Sequence, residues 1–343
     1  MNMKRHLIVA MALLLMVTAI APCMTACDVS VTLDDVFVTV NMNETNPETP
    51  TQEETTMEET TIPVTEETTA EETTAEETTA EETTEPEFVR DGTPKKYITI
   101  RMDDGTTQDE RMMEIMRKYG VDCCTFYLNS GLLGANWTWV GQNFNRPDVT
   151  HIRYTRRQLA TGIYDGFDVQ CHTVNHPSLK AYSEAAVTAE VKNDATTLGK
   201  IFGYEPVGLA WPGGDTEWNE QNIVTILNTT NIRYGSCTTR NTTMGIKKFG
   251  LPEYFMTWYP SCSVVDADAM ALLEEFLAAE CTEDMLFYVW GHGFELDLHY
   301  SWDKFELMIK TIAEAAAEDD SIVLVTNSEF YELFKDEIPA WKE

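Results

Sequence analysis

Two short stretches hold residues whose types and spacing could do chemistry: IRMDDG at 100–105 and CHTVNHP at 171–177. Asp103 and Asp104 are adjacent carboxylates at the end of a β-like run, 97–102. His172 and His176 stand four apart, directly after another such run, 167–171. One carboxylate and two imidazoles make a three-ligand set for a divalent metal that leaves a position open for water. A second carboxylate beside that set can take a proton from the water, as a hydrolase requires. Two neighbouring anions raise the pKa of one of them, and a cation bound by one relieves the conflict and frees the other as base. Asp-Asp-Gly alone is an ordinary turn sequence, and a pair of histidines four apart is common. The weight comes from both motifs following strand candidates. Pro177 limits any helix through both histidines, so a loop or single turn is expected there. His151 and His299 are isolated and read as surface or structural residues.

The elements that must position these groups can be read from periodicity. Residues 89–343 alternate short apolar runs with helical patterns. Strand candidates are 97–102, 123–128, 167–171, 207–211, 232–237, 285–290 and 322–325. Helix candidates are 108–118, 155–164, 183–202, 217–228, 266–279, 302–317 and 328–334. This β/α alternation predicts a parallel sheet with helices outside, hence a barrel. In such barrels chemistry collects at the carboxyl ends of the strands. Asp103 and Asp104, His172, Pro212 and His292 all sit just past strand candidates.

Residues 1–26 read as a secretory signal, with Lys4 and Arg5 before an apolar run at 7–21. The run is short for a membrane span, although an uncleaved anchor is an alternative. Residues 27–42 form a short segment whose alternation at 28–42 suits a strand or nothing. Residues 43–88 are low in complexity, with the unit EETTA running from 66 to 80. That composition cannot bury a core and predicts a disordered, extended acidic linker. Its sixteen glutamates supply roughly half of the net charge of −33. Residues 89–343 carry 22 basic and 38 acidic side chains, a balance of −16 that argues against nucleic acid as a partner. Of eight cysteines, Cys23 lies in the signal and Cys27 at its end. The remaining six permit disulfides outside the cell, but their spacing shows no zinc-ribbon pattern, and small buried thiols are the preferred reading.

Met24-Thr25-Ala26-Cys27 resembles the lipobox of bacterial lipoproteins. That implies lipid on Cys27 and a mature chain starting there, with ordinary cleavage near Ala26 as the alternative. MDDG with HTVNHP resembles the first two motifs of the NodB-homology polysaccharide deacetylases, carbohydrate esterase family 4. The resemblance spans roughly 95–334 and implies a distorted (β/α)7 barrel, in agreement with the alternation. It makes Asp103 the catalytic base and Asp104, His172 and His176 the ligands of one divalent metal, with Thr173 bracing the loop. Zinc is the default for such a set, and cobalt, nickel or manganese are accepted by it. The third motif, RxPxG, matches 210–214 with Ala210 in the arginine position. Arg101, on the same side of the strand as Asp103, is the available replacement for an arginine that orients the base. Gly213 stands where the family's backbone N–H helps hold the oxyanion. The fourth motif is not found. Trp211, Trp258 and Tyr259 offer either aromatic surface for a sugar ring or buried core. His292, in YVWGH at 288–292, resembles the fifth motif, LxH, whose histidine is the general acid.

The resemblance implies metal-dependent hydrolysis of N-acetyl, or O-acetyl, groups from an extracellular polysaccharide such as peptidoglycan. The expected setting is a monomer on the outer face of the bacterial cell membrane, held by an N-terminal lipid or signal anchor. Two other readings stay open: a carbohydrate-binding surface lipoprotein with weak turnover, and a C–N hydrolase acting on a non-glycan amide.

Overall fold

The computed structural model describes residues 27–31, 38–42 and 90–342, which fall in two units. In the first, β1 (Cys27–Val31) and β2 (Val38–Met42) pair antiparallel with Cys27 opposite Met42. The alternation at 28–42 therefore corresponds to a two-stranded ribbon. The expected signal at 1–26 and linker at 43–88 lie outside the described residues, as does the side chain of Cys27.

The second unit runs β3 (Lys96–Asp103), α1 (Asp109–Tyr119), β4 (Cys124–Leu128), β5 (Asn136–Trp137), α2 (Trp139–Asn143), β6 (His151–Ile152), α3 (Arg156–Leu159) and β7 (Asp168–Cys171). It continues α4 (Glu184–Phe202), β8 (Gly208–Ala210), α5 (Glu220–Thr229), β9 (Tyr234–Ser236), β10 (Cys262–Ser263) and α6 (Ala269–Ala278). It ends with β11 (Met285–His292), α7 (Gly293–Leu298), α8 (Trp302–Glu318), β12 (Ile322–Leu324) and α9 (Asn327–Phe334). The main sheet is parallel throughout, in the order β10-β11-β3-β4-β7-β8-β9. β12 pairs the first half of β3 and β4 pairs its second half. The edges are joined by one short run. Trp258 exchanges backbone bonds with Gly235 and Cys237 beside β9, and Cys262 and Ser263 then pair with β11. This is the distorted β/α barrel expected from the sequence.

Strand alternation divides the side chains of β3 between two layers. Ile98, Ile100 and Met102 enter the large apolar cluster that also takes up Met112 and Met116 of α1 and Phe305 and Ile309 of α8. Tyr97, Thr99, Arg101 and Asp103 fall on the other side, as period-two geometry requires. The interior there is polar as well as aromatic. Asn327, fully buried, donates through Nδ2 to Thr99 Oγ1 at 3.0 Å and through its backbone N–H to Thr125 Oγ1 at 2.8 Å. It accepts from Tyr127 Oη at 2.8 Å.

Helix ends follow local chemistry. α1 has Asp109 and Glu110 in its first turn, Arg117 and Lys118 in its last, and stops at Gly120 with φ 70°. Ser183 caps α4 and Gly203 ends it at φ 83°. The helix expected at 155–164 is cut to Arg156–Leu159. Thr155 and Gln158 form a capping box at its start, but Gly162 adopts φ 79° and breaks the spiral. β10, two residues long, and the short helices α2 and α7 carry too few residues to show a period. Among the described residues no helix is long and apolar enough to cross a membrane, and the six cysteines of residues 90–342 are all free, five of them buried.

Asn327→Ala removes the shared partner of Thr99 and Tyr127 and leaves buried polar atoms unpaired. It should lower unfolding free energy by about 2–3 kcal/mol, read as a lower urea midpoint at unchanged slope. An unchanged midpoint would contradict the role given to this interior network.

Candidate active site

The site forms at the carboxyl ends of β11, β3 and β7, with β4 standing between β3 and β7. His292 lies in register with Asp103 across the β11–β3 ladder, and His172 follows β7 directly. Asp103 is the last residue of β3, still facing the interior. Arg101, two residues back on the same face, grips it with both arms: Nε donates to Oδ1 at 2.7 Å and Nη2 donates to Oδ2. The third guanidinium nitrogen donates to the carbonyl of Cys237 at 2.7 Å, so a fully buried arginine spends its charge and its fork on one carboxylate. Burial alone would raise the pKa of Asp103. Arg101, then His172, outweigh it and hold the carboxyl below its ordinary value.

Asp104 leaves the strand with φ 79°, in the left-handed region, and turns to a different set of partners. His151 Nε2 meets its Oδ2 at 2.8 Å, Arg153 Nη2 donates to its Oδ1 at 2.7 Å, and Arg153 Nε donates to its carbonyl at 3.0 Å. Burial opposes the charged form. The His151 hydrogen bond, with His292, Arg153 and His172, overcomes it and sets the pKa well below the usual carboxylate range. His172 Nε2 and His176 Nε2 approach the same Oδ1 at 3.7 and 3.9 Å.

The donor set fits a divalent ion. Asp104, His172 and His176 offer ligand atoms all within 4.8 Å of one another. The separations from Oδ1 are near what two bonds of about 2.1 Å to a shared ion subtend. His172 Nδ1 donates to the Ala210 carbonyl at 2.9 Å, which fixes the tautomer and leaves Nε2 as a bare lone pair. That Nε2 is buried and has no protein partner. Burial pushes the pKa of His172 down to about 4 and lowers that of His176, so both rings are neutral, the form that ligates.

The loop carrying the histidines is strained and braced. Thr173 has φ 66° and His176 φ 55°, conformations that cost about 1–3 kcal/mol each and persist only where the surroundings enforce them. Thr173 Oγ1 accepts the His176 N–H at 3.1 Å. Asn129 Nδ2 donates to the carbonyls of His172 and Thr173. Asp194 accepts the N–H groups of Ser130 at 2.7 Å and His172 at 3.0 Å.

His292 stands opposite. Glu295, three residues on, accepts the His292 backbone N–H at 2.9 Å, and its Oε2 lies 3.4 Å from Nδ1. Burial works against the imidazolium, but Glu295, and behind it Asp104 and Asp103, raise the pKa to about 9. These groups share one half-open cleft of about 570 Å³ with Gly213 and Gly214, both at positive φ. Trp137, Trp139, Phe144, Trp211, Trp290 and Phe294 line it, with Trp139 and Phe144 exposed at its rim.

Asp103, Asp104, His172, His176, Gly213 and His292 are thus brought together, and Arg101 supplies a guanidinium that position 210 lacks. Trp258 is core, packed on Tyr288 and Phe330, and Tyr259 packs against the apolar cluster. His151, read as surface or structural, is fully buried on Asp104, and His299 lines the cleft. Arg153, Asp194 and Glu295 were missed. Asp194 left a signal, being a carboxylate on the apolar stripe of α4 with Val187, Val191 and Leu198. His151 and Arg153 left only a two-residue alternation.

Residues 90–235 match the polysaccharide deacetylase family. This range, under half of the chain, contains Asp103, Asp104, His172, His176 and Gly213, and is similar to a polysaccharide deacetylase domain of the NodB-homology type. No curated protein matches the sequence. Similar solved structures include the deacetylase PplD of Streptococcus pyogenes in complex with acetate, at 22% identity over 41% of this chain and 56% of that one, TM-score 0.32. The chain thus spans little more than half of that protein. A family 4 carbohydrate esterase from Streptomyces lividans, also with acetate, aligns at 12% identity over 66% of this chain and 90% of that one, TM-score 0.39. The peptidoglycan deacetylase PdaC from Bacillus subtilis aligns at 16% over 71% and 93%, TM-score 0.38.

If Glu295 is what holds the charge on His292, its removal must lower that pKa. An NMR titration of His292 should give a midpoint near 9 in the parent chain. In Glu295→Gln the midpoint should be lower by about one pH unit or more. Equal midpoints would contradict the pairing.

Proposed function

We propose that this polysaccharide deacetylase domain is a metal-dependent hydrolase that removes acetyl groups from an acetylated glycan. The observation that carries the reading is the division of labour between adjacent carboxylates. Asp103 is gripped by Arg101 and Asp104 is turned toward His172 and His176, all within one aromatic-lined cleft. Asp104, His172 and His176 would hold the divalent ion, zinc by default, which supplies Lewis acidity toward the acetyl carbonyl and the attacking water.

The chain's own groups account for the remaining chemistry. Asp103, kept ionised by Arg101, accepts the proton of the attacking water. Gly213 lines the cleft, and its backbone N–H would donate to the oxyanion. His292, charged below about pH 9, donates its proton to the departing amine, or to an alkoxide if the substrate is an O-acetyl ester. The aromatic side chains of the cleft exclude water and offer faces for sugar rings. A half-open aromatic cleft suits a polymer better than a small amide. Arg101 on Asp103 weakens one of the two supports for a carbohydrate-binding protein with weak turnover, the absent third-motif arginine; the other, the fourth motif that is not found, still stands. The lipobox-like Cys27 and the acidic linker suit a monomer tethered outside the cell membrane and reaching acetylated wall glycan such as peptidoglycan.

The test is acetate release by the purified chain from N-acetylglucosamine oligomers, peptidoglycan and acetylated xylan, after chelation and after zinc or cobalt is restored. Release should require metal and fall as pH rises through about 9, where His292 loses its proton. Asp103→Asn should retain metal and lose activity by about 10²–10⁴-fold. Asp104→Ala should lose both metal and activity. Full activity in Asp103→Asn, or release unaffected by chelation, would overturn the assignment.

A further inference from the structure

The proposed metal reading leaves one feature unexplained: a buried cation on the ligand carboxylate. Arg153 follows β6, which pairs antiparallel with β5 in an excursion between β4 and β7. Its guanidinium is fixed on several sides. Nη2 donates to Asp104 Oδ1 at 2.7 Å, Nε donates to the Asp104 carbonyl at 3.0 Å, and the plane lies 4.1 Å from the Trp137 ring centre. Nη1 reaches His151 Nδ1 at 3.4 Å. Since Nδ1 therefore accepts, the proton of His151 sits on Nε2 and points at Asp104 Oδ2, 2.8 Å away. Both carboxylate oxygens are occupied by donors from this excursion. The oxygen taken by Arg153 is also the one nearest to His172 and His176.

Two roles are compatible with such contacts, and they differ in sign. A clamp that only positions Asp104 would strengthen metal binding, and its loss would weaken it. A fixed positive charge on the shared oxygen opposes a divalent ion, and its loss would strengthen binding. Asp104 is the only member of the donor set whose side chain carries negative charge, an imidazole being no anion. Arg153 cancels that anion before any ion arrives. Charge–charge effects over such distances in a buried site exceed the worth of one hydrogen bond in orienting a carboxylate. His151, a neutral donor, is left to do the orienting.

We infer that Arg153 is a tuning residue that weakens metal binding at Asp104, His172 and His176 by competing for Asp104 Oδ1, and so leaves the bound ion a stronger Lewis acid. The inference rests on the metal assignment above. It predicts a centre whose ion exchanges more readily than the ligand set alone would allow.

The experiment is competition between the purified chain and a chromophoric chelator for zinc or cobalt, in the parent, Arg153→Met and Arg153→Lys. Arg153→Met should bind the ion at least about tenfold more tightly, while Arg153→Lys, which keeps the charge, should stay close to the parent. Should metal-free Arg153→Met fail to fold, the rate at which chelator strips ion from protein purified with metal serves instead. Slower release than from the parent supports the inference and faster release overturns it. Equal or weaker binding by Arg153→Met, with metal still bound by the parent, overturns this inference alone. No metal uptake by the parent overturns the metal assignment and this inference with it.

Discussion

Two carboxylates on consecutive residues are buried at the end of one strand, and the rest of the site answers to that constraint. Taking each charge out of water costs several kcal/mol after relaxation, and two like charges side by side cannot both persist without partners. The chain separates them by backbone geometry. Asp103 stays in the strand and meets Arg101 on the same face of the pleat. Asp104 swings into the left-handed region and meets the β5–β6 excursion and the two histidines. Adjacent in sequence, the two residues end with different neighbours and different chemistry. The strain this needs at Asp104, Thr173 and His176 is sustained by Asn129 and Asp194, which tie the ends of β4 and β7 into one rigid floor.

The pairing with Arg101 has a cost for catalysis. It keeps Asp103 ionised inside the protein but lowers its basicity, whereas a general base works best with a pKa near the working pH. A weak base can deprotonate only an acidified water, which is the contribution a divalent ion at the neighbouring ligand set would make. On the leaving-group side the problem is reversed, and Glu295 keeps His292 charged against burial. The two ends of the proposed proton path are thus poised in opposite directions by one local partner each.

The fold was legible because its signals are local. Apolar runs of four to eight residues alternating with helical stretches are set by burial on both faces of a parallel sheet. The site motifs were legible for the same reason: MDDG and HTVNHP each place their reactive groups within one turn at a strand end. Even Arg101 could be read, since period two puts it on the side of Asp103. What could not be read was brought together by tertiary contact. His151 and Arg153 lie about fifty residues from Asp104 in sequence, on strand pieces too short to show a period. Glu295 lies in a six-residue helix with no pattern of its own. Trp258 shows the converse, an aromatic that composition could assign to a sugar face and that packing assigns to the core.

The central claim is that the two carboxylates have separate duties, Asp104 as ligand and Asp103 as base. X-ray absorption at the metal edge of the zinc- or cobalt-loaded chain tests it most directly. Two imidazole nitrogens and one carboxylate are expected around the ion, unchanged when Asp103 is replaced by asparagine. Loss of a carboxylate oxygen in Asp103→Asn, or a shell lacking two imidazoles, would contradict it.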